Sequence, residues 1–378
     1  MNRRLETLQI GLIASPHATS GSDRYYFNLV RALRAADVGA RGVVLGDAAD
    51  VEDGASDIAS FAPEGSRALR RWSGLRKTIR RLFSETDMVV SHLAPHAFPV
   101  LDIIRSKPLV EHFHGPWALE GRFAKLPARR IALRLVQERA VYGRAERIVV
   151  LSRSFGDVLE REYRVPPAKI RVIPGGVDIA RFDAPESRRD ARAELGLSQQ
   201  RPIVFCVRRL EPTKGLDRLV DAMALVAARV PDALLVLAGN GTLREALGER
   251  VRALGIERNV IFAGKVDDRR LALSYRAADL SVVPSVAWEG FGLVCLESLA
   301  AGTPAMVTPV GGLPEAVADL EPALVFASSA TADIAAGVTE ALLGTRPLPP
   351  ADACLAYARR FSWERIAQRV GEVYREVA

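Results

Sequence analysis

The stretch PSVAWEGFGLVCLESLAAGTPAMVTPVGGLPE, residues 284–315, ends a strand-like run, places Glu289 ahead of Gly290, Phe291 and Gly292, and carries Glu297 inside the helical pattern that follows. Glycine lets backbone come close to a ligand because no side chain obstructs it. A helix beginning near Gly292 and Leu293 would aim free N–H groups and the positive end of its dipole at whatever lies in front, which suits an anion. Glu297 lies ~7.5 Å further along such a helix, at 1.5 Å per residue. A carboxylate accepts hydrogen bonds from vicinal hydroxyls. Glu289 is therefore a candidate for holding a sugar ring and Glu297 for holding a ribose. A salt-bridged surface acid is the plainer alternative for Glu297, although LVCL and SLAAG around it mark an otherwise apolar helix. Upstream, FCVRRLEPTKG (205–215) sets Arg209 and Lys214 between a strand and a helix. A planar guanidinium fork and a point-like ammonium together make a clamp for two phosphates. A solvated basic loop is the alternative.

All five histidines (17, 92, 96, 112 and 114) fall in the first half of the chain. His112 and His114 share a strand face and His92 and His96 follow another strand, so zinc is conceivable, but neighbouring strand ends bring histidines to a rim without any metal. No Asp-x-Asp follows a strand to hold magnesium on a diphosphate, and no metal or other cofactor is expected. Arg209, Lys214 and the helix end would replace it. The segment RALRRWSGLRKTIRRLF (67–83) carries Leu69, Trp72, Leu75, Ile79, Leu82 and Phe83 at helical spacing among seven basic residues. Arg70, Arg71, Arg76, Lys77, Arg80 and Arg81 around Trp72 form the pattern of a helix lying on an anionic membrane surface, where each basic residue contributes on the order of 1 kcal/mol. A helix that packs its stripe inward and shows charge to water is the other reading, and the two are compatible. No zinc finger or RNP-type motif accompanies the charge, so no nucleic-acid partner is expected.

These residues need elements to position them. At 378 residues the chain exceeds the size of a single growing core, and two domains are expected. Apolar runs read as strands at 8–15, 40–46, 87–93, 108–114, 147–152 and 170–176, then at 202–207, 233–239, 259–264, 280–285, 303–308 and 323–327. They are apolar on both faces, as parallel strands between helices must be, and helical patterns separate them. The fold class is α/β, a doubly wound parallel sheet twice over. The polar stretch 183–202 divides residues 1–185 from 186–361, and 362–378 reads as an amphipathic helix with Ser362 as N-cap. Residues 1–180 hold 28 Lys and Arg against 20 Asp and Glu, a net +8 in a chain of net +7, so one half alone suits an anionic partner. Three cysteines without CxxC spacing suit a reducing cytosol, and the N-terminus reads as a buried strand, not a signal peptide.

Arg209 and Lys214 in RLEPTKG, the glutamates of E-x7-E, VIPGGVD (172–178) and GNG (239–241) arrive in the order seen in retaining glycosyltransferases of family 4, which this sequence resembles over nearly its whole length. EHFHGPWALEGR (111–122) is similar to a segment of members that build bacterial polysaccharides. The resemblance implies a GT-B fold: an N-terminal Rossmann-like acceptor domain and a C-terminal nucleotide-sugar donor domain facing across a cleft, with the last helix crossing back to the first. It implies that Arg209 and Lys214 bind the donor diphosphate and that Glu297 binds the ribose. Glu289 with the backbone of Gly290, Phe291, Gly292 and Leu293 would hold the transferred hexose and its phosphate. Backbone at Gly239 and at Gly264, Lys265 and Val266 would line the nucleotide, the last three its base. His114 takes the place of the histidine facing the sugar, and Gly21 that of the glycine-rich loop after the first strand. Three positions depart from the family: SGSD stands for GGAE, Arg208 for the glycine before the clamp arginine, and Gly175 for the asparagine before GVD.

The expected activity is a metal-independent, retaining hexosyl transfer from a nucleoside-diphosphate sugar to a lipid-linked or saccharide acceptor, in the cytoplasm or at the inner face of the membrane. A sugar-nucleotide epimerase or phosphorylase on a similar fold is the alternative. A dinucleotide-dependent oxidoreductase is disfavoured because IASPHATSGSD lacks GxGxxG after the first strand.

Overall fold

The computed structural model describes residues 3–14, 21–46, 58–183 and 185–378. Its chain forms two compact units, Met1–Gly176 with Trp363–Ala378, and Val177–Ser362. The division at Gly176 falls before the polar stretch that suggested it in the sequence, and the last helix is counted with the first unit.

In the first unit, β1 (Leu5–Ala14), β2 (Val38–Gly46), β3 (Ile58–Ala62), β4 (Met88–Ser91), β5 (Leu109–Phe113), β6 (Arg147–Val150) and β7 (Ile170–Val172) form one sheet in the order β3-β2-β1-β4-β5-β6-β7. In the second, β8 (Ile203–Val207), β9 (Leu234–Ala238), β10 (Val260–Gly264), β11 (Leu280–Val283) and β12 (Ala305–Val307) form a sheet in the order β10-β9-β8-β11-β12. The strand pairings in both sheets are parallel. Parallel strands require covered faces, which is why β4, β5, β9 and β11 are buried at every residue. Strand order reverses between β1 and β4 in one sheet and between β8 and β11 in the other. Loops leaving the carboxyl ends there diverge to opposite faces and open a crevice.

Two elements differ from the sequence reading. Residues 323–327 do not make a strand: a 3-10 turn spans Pro322–Leu324, and only an isolated bridge joins Val307 to Val325. Pro322 has no N–H to give a ladder and fixes its own φ, so the chain turns there. Conversely β3 was not expected, because IASFA is a short edge strand with little apolar signal.

The helix Trp363–Val377 packs against the helix Gly21–Leu33 of the first unit. It buries Trp363, Ile366, Val370 and Tyr374 and leaves its arginines outward. Truncating Ile366, which is 1% exposed, to alanine is expected to cost about 2–5 kcal/mol. The check is the unfolding midpoint of the full chain in urea; an unchanged midpoint would mean that this face contributes no core.

Candidate functional site

In the second unit the loops after β8 and β11 leave the switch point and meet over one carboxylate. The Glu289 carboxylate takes an ion pair from Arg208 and accepts hydrogen bonds from Lys214 Nζ at 3.1 Å and Ser285 Oγ at 2.9 Å. Arg208 also donates to Ser285 Oγ at 2.7 Å. The Arg208, Lys214 and Glu289 side chains are 7%, 13% and 12% exposed. Burial works to raise the Glu289 pKa, but Arg208 and Lys214, with their hydrogen bonds, bring it down to about 2. The Lys214 ammonium is pushed below its ordinary value by burial and by the Arg208 charge. Two cations against one carboxylate in a nearly dry loop cluster leave positive charge unbalanced, and a phosphate would relieve it.

Backbone geometry fixes this cluster. Gly215, at φ +64°, lies so close to the Pro284 carbonyl that a Cβ would stand 2.0 Å from it, and Val286 N donates to Thr213 O at 3.0 Å. The loops after β8 and β11 are thereby pressed together. Trp288 adopts φ +47°, a left-handed conformation uncommon for a bulky residue, immediately before Glu289. The Glu289 carbonyl accepts from Gly312 N at 2.9 Å.

The other expected residues of this unit distribute around the same strand ends. Gly292, at φ +84°, caps the helix Leu293–Ala300, and Phe291 is buried against Phe361 at 5.7 Å between ring centres. Gly290 and Leu293 are half-buried beside it. Glu297 is buried, with the Tyr275 hydroxyl 3.2 Å from its Oε2. Gly239 follows β9 and its N–H donates to the Gly264 carbonyl at 2.7 Å, which ties the end of β9 to the end of β10; Lys265 is exposed there and Val266 half-buried. Arg209 is placed differently from Lys214. It is exposed, and among the described residues no acceptor meets its guanidinium. The buried cation beside Lys214 is its neighbour Arg208.

In the first unit, His114 belongs to a buried chain of hydrogen bonds. Thr7 Oγ1 donates to the Gly39 carbonyl at 2.8 Å, which can only accept. The Thr7 oxygen then accepts from Gln9 Nε2 at 2.8 Å, leaving Gln9 Oε1 to face His92 Nε2 at 2.9 Å. His92 must carry its proton on Nε2, so its Nδ1 accepts from His114 Nε2 at 3.4 Å. His114 is thus left with Nδ1 as its acceptor. Burial pushes the His92 pKa well below its ordinary value and that of His114 down to about 4. His112 lies between the hydroxyls of Tyr25, 3.1 Å from its Nδ1, and Tyr374, 2.8 Å from its Nε2. The ring nitrogens of His92 and His112 are committed to protein partners, and among the described residues no group of three His, Cys, Asp or Glu is arranged as a metal site. His17 lies outside the described residues. Gly21 opens the helix Gly21–Leu33, where an added Cβ would meet nothing within 4 Å among the described residues; residues 15–20 of its loop are outside them.

The basic helix Ala68–Leu82 splits its stripe. Leu75 and Ile79 are buried in the unit, whereas Leu69 is 81% and Trp72 41% exposed. Arg76 is held by Asp102 at 2.6 Å and by the Pro99 carbonyl. Arg70, Lys77, Arg80 and Arg81 are exposed and Arg71 is half-buried; none has an ion pair among the described residues. No helix among the described residues is long and apolar enough to cross a membrane.

Comparison with known proteins decides the family. Residues 19–181 match the sequence model of Glycosyltransferase Family 4, and residues 187–361 that of Glycosyl transferases group 1. The D-inositol 3-phosphate glycosyltransferase of Nocardia farcinica is 36% identical over 313 residues, covering 79% of this chain and 68% of that protein. The chain belongs to the family 4 glycosyltransferases. The protein of the same name from Segniliparus rotundus is 37% identical over 247 residues, 64% of this chain, and the match spans 55% of that relative's length. Solved structures show the fold. Anabaena Alr3699/HepE, crystallised with UDP and glucose, has a TM-score of 0.80 at 20% identity, covering 98% of this chain and all of that one. A sucrose-phosphate synthase from Thermosynechococcus elongatus has a TM-score of 0.76 at 24% identity, covering 99% of each chain. The fold is GT-B, with two Rossmann-like units.

Glu289, Lys214 and His114 stand out in the sequence of this family 4 glycosyltransferase, whereas Arg208, Ser285, Gln9 and Tyr25, which the structure places in the same clusters, do not. Arg208 was legible only as a departure from the family pattern. Ser285 follows a strand without any special signal, and Thr7 and Gln9 sit two apart on β1, a spacing that marks one face but no partner. The depressed His114 pKa carries a sign: the ring is neutral above the ordinary histidine range and stays so as the pH falls toward about 4. NMR titration of the His114 ring is expected to show a midpoint below pH 5, against the ordinary value of ~6.5. A midpoint near 6.5 would mean that the buried chain does not set its state.

Proposed function

We propose that this chain is a retaining, metal-independent glycosyltransferase that moves a hexose-type sugar from a nucleoside-diphosphate sugar to an acceptor hydroxyl. The observation that carries the reading is the Lys214–Glu289–Arg208 cluster at the switch point of the second sheet. Lys214 and Arg209 would take the diphosphate, with the amide groups at the start of the helix Leu293–Ala300 beside it. Glu289 and the backbone of Gly290 to Leu293 would hold the hexose, Glu297 the ribose, and the strand ends at Gly239 and 264–266 the base.

In the transfer, the bond from the sugar's anomeric carbon to the phosphate oxygen breaks, and a bond to the acceptor oxygen forms on the same face. The acceptor's proton passes to the departing phosphate, so no protein base is required. Preorganised cations aimed at the leaving diphosphate lower the barrier, because their positions are set before charge develops. His114, a neutral acceptor, is suited to positioning and not to acid catalysis. An epimerase on the same fold would convert donor alone, so products formed without acceptor separate the two.

For the acceptor, the reading is a lipid-linked saccharide presented at an anionic membrane, with the enzyme at the cytoplasmic face. Exposed Leu69 and Trp72 near Arg70, with Arg80 and Arg81 exposed further along the same helix, support it, since apolar rings and basic residues together suit a headgroup layer. The names of the Nocardia and Segniliparus relatives, D-inositol 3-phosphate glycosyltransferases, support a second reading, a phosphorylated inositol. Supplying the donor with either a membrane lipid extract or D-inositol 3-phosphate distinguishes them by which one is labelled.

Lys214→Ala and Glu289→Ala are each expected to lower turnover by about 10²–10³, measured as nucleoside diphosphate released from purified folded variants; wild-type rates would refute the reading. Co-sedimentation with phosphatidylglycerol-containing vesicles is expected to disappear when Arg70, Arg71, Arg80 and Arg81 are changed to Glu. Binding that survives the four changes would assign the surface elsewhere.

A further inference from the structure

The position before Arg209, where the family usually has glycine, is the buried Arg208, and the structure gives it a definite task. We infer that Arg208 is a positioning residue that holds Glu289 oriented toward the transferred sugar and so releases Lys214 to engage the donor's diphosphate. The inference rests on the glycosyl-transfer reading above and deepens it.

Three observations support it. First, among the described residues the bonds to the Glu289 carboxylate converge on Oε2, from Arg208, Lys214 and Ser285. Oε1 is left for a ligand's hydroxyls. Second, Arg208 is braced at both ends. Its N–H donates to the Ala238 carbonyl at 3.0 Å, and its own carbonyl lies against Gly239, at φ +120°, where a Cβ would stand 1.9 Å from it. Its guanidinium is fixed between Ser285 Oγ at 2.7 Å and the carboxylate. Third, Lys214 has a long flexible stem, and Glu289 keeps a buried cation and the Ser285 hydroxyl when Lys214 turns away. With glycine at 208, Lys214 would be the carboxylate's sole cation, and its departure would leave a buried charge with one hydroxyl for company, which is costly.

The groups facing the carboxylate are Arg208, Lys214 and Ser285, with the buried thiols of Cys206 and Cys295 nearby. Both thiols are pushed up by burial and are neutral, so Arg208 and Lys214 supply the positive charge.

The test uses the full chain with Arg208→Met, Arg208→Lys and, as reference, Glu289→Gln. Calorimetry compares UDP, GDP and ADP with their glucose derivatives. In Arg208→Met, affinity for the bare nucleotide is expected to fall, because Lys214 stays with the carboxylate, and affinity for the sugar nucleotide is expected to fall at least about tenfold further, the loss of one charged hydrogen bond. Arg208→Lys should fall between. An equal loss for both ligands would make Arg208 a phosphate ligand and overturn the inference, as would no loss for either. Should wild type bind none of these compounds, the functional reading fails separately. The inference is then read from the Glu289 carboxyl by 13C NMR, assigned through Glu289→Gln. Its titration is expected to move up in Arg208→Met, and an unmoved titration overturns the positioning role. Thermal melting of each variant confirms that it is folded.

Discussion

A carboxylate held nearly dry against two cations is the constraint on which the second unit's site depends. An isolated Glu289 would be protonated by burial, and isolated Arg208 and Lys214 would be expensive to bury. Together they remain charged, and the excess of one positive charge makes the cluster ready for an anion. The arrangement demands that the loops after β8 and β11 approach within a side chain of each other. That approach is possible because strand order reverses between these two strands, and because Gly215 tolerates the Pro284 carbonyl at its back.

The first unit solves a related problem with neutral groups. Three histidines, two tyrosines and a glutamine lie in a space where charge would be costly, and each finds a partner. Because the chain of bonds starts at a backbone carbonyl, its direction is imposed from one end, and the tautomers of His92 and His114 follow. The last helix belongs to this network through Tyr374, whose hydroxyl meets His112, and through Trp363, whose ring stands edge-on to Tyr25 at 5.3 Å. A segment far along the sequence therefore completes the buried chemistry of the first unit.

The helix Ala68–Leu82 shows how one amphipathic pattern serves two surfaces. Its later apolar residues enter the core, while Leu69 and Trp72 in its first two turns stay in water among arginines. Gly74 marks the changeover, since a Cβ there would stand 2.0 Å from the Phe61 carbonyl of β3. The helix approaches the sheet closely at that glycine and is free of it before.

Much was legible without coordinates. Parallel strands buried on both faces leave apolar runs of strand length, so eleven of the twelve strands could be read from the chain, and the GT-B class with them. Glu289, Lys214 and the glycines around Phe291 were legible because loops at strand ends carry few other reasons for such residues. The edge strand β3 escaped because an edge needs little apolar sequence, and Pro322 turned an apolar run into a 3-10 turn. Which arginine of the Arg208–Arg209 pair enters the cluster was decided by tertiary structure alone. Neighbours on an extended segment point to opposite sides, and the packing of β8 against β9 sets which side is buried. The same holds for the tautomer of His114, since the direction of a hydrogen-bonded chain depends on which partners the sheet brings into register, and that information is absent from any local stretch of sequence.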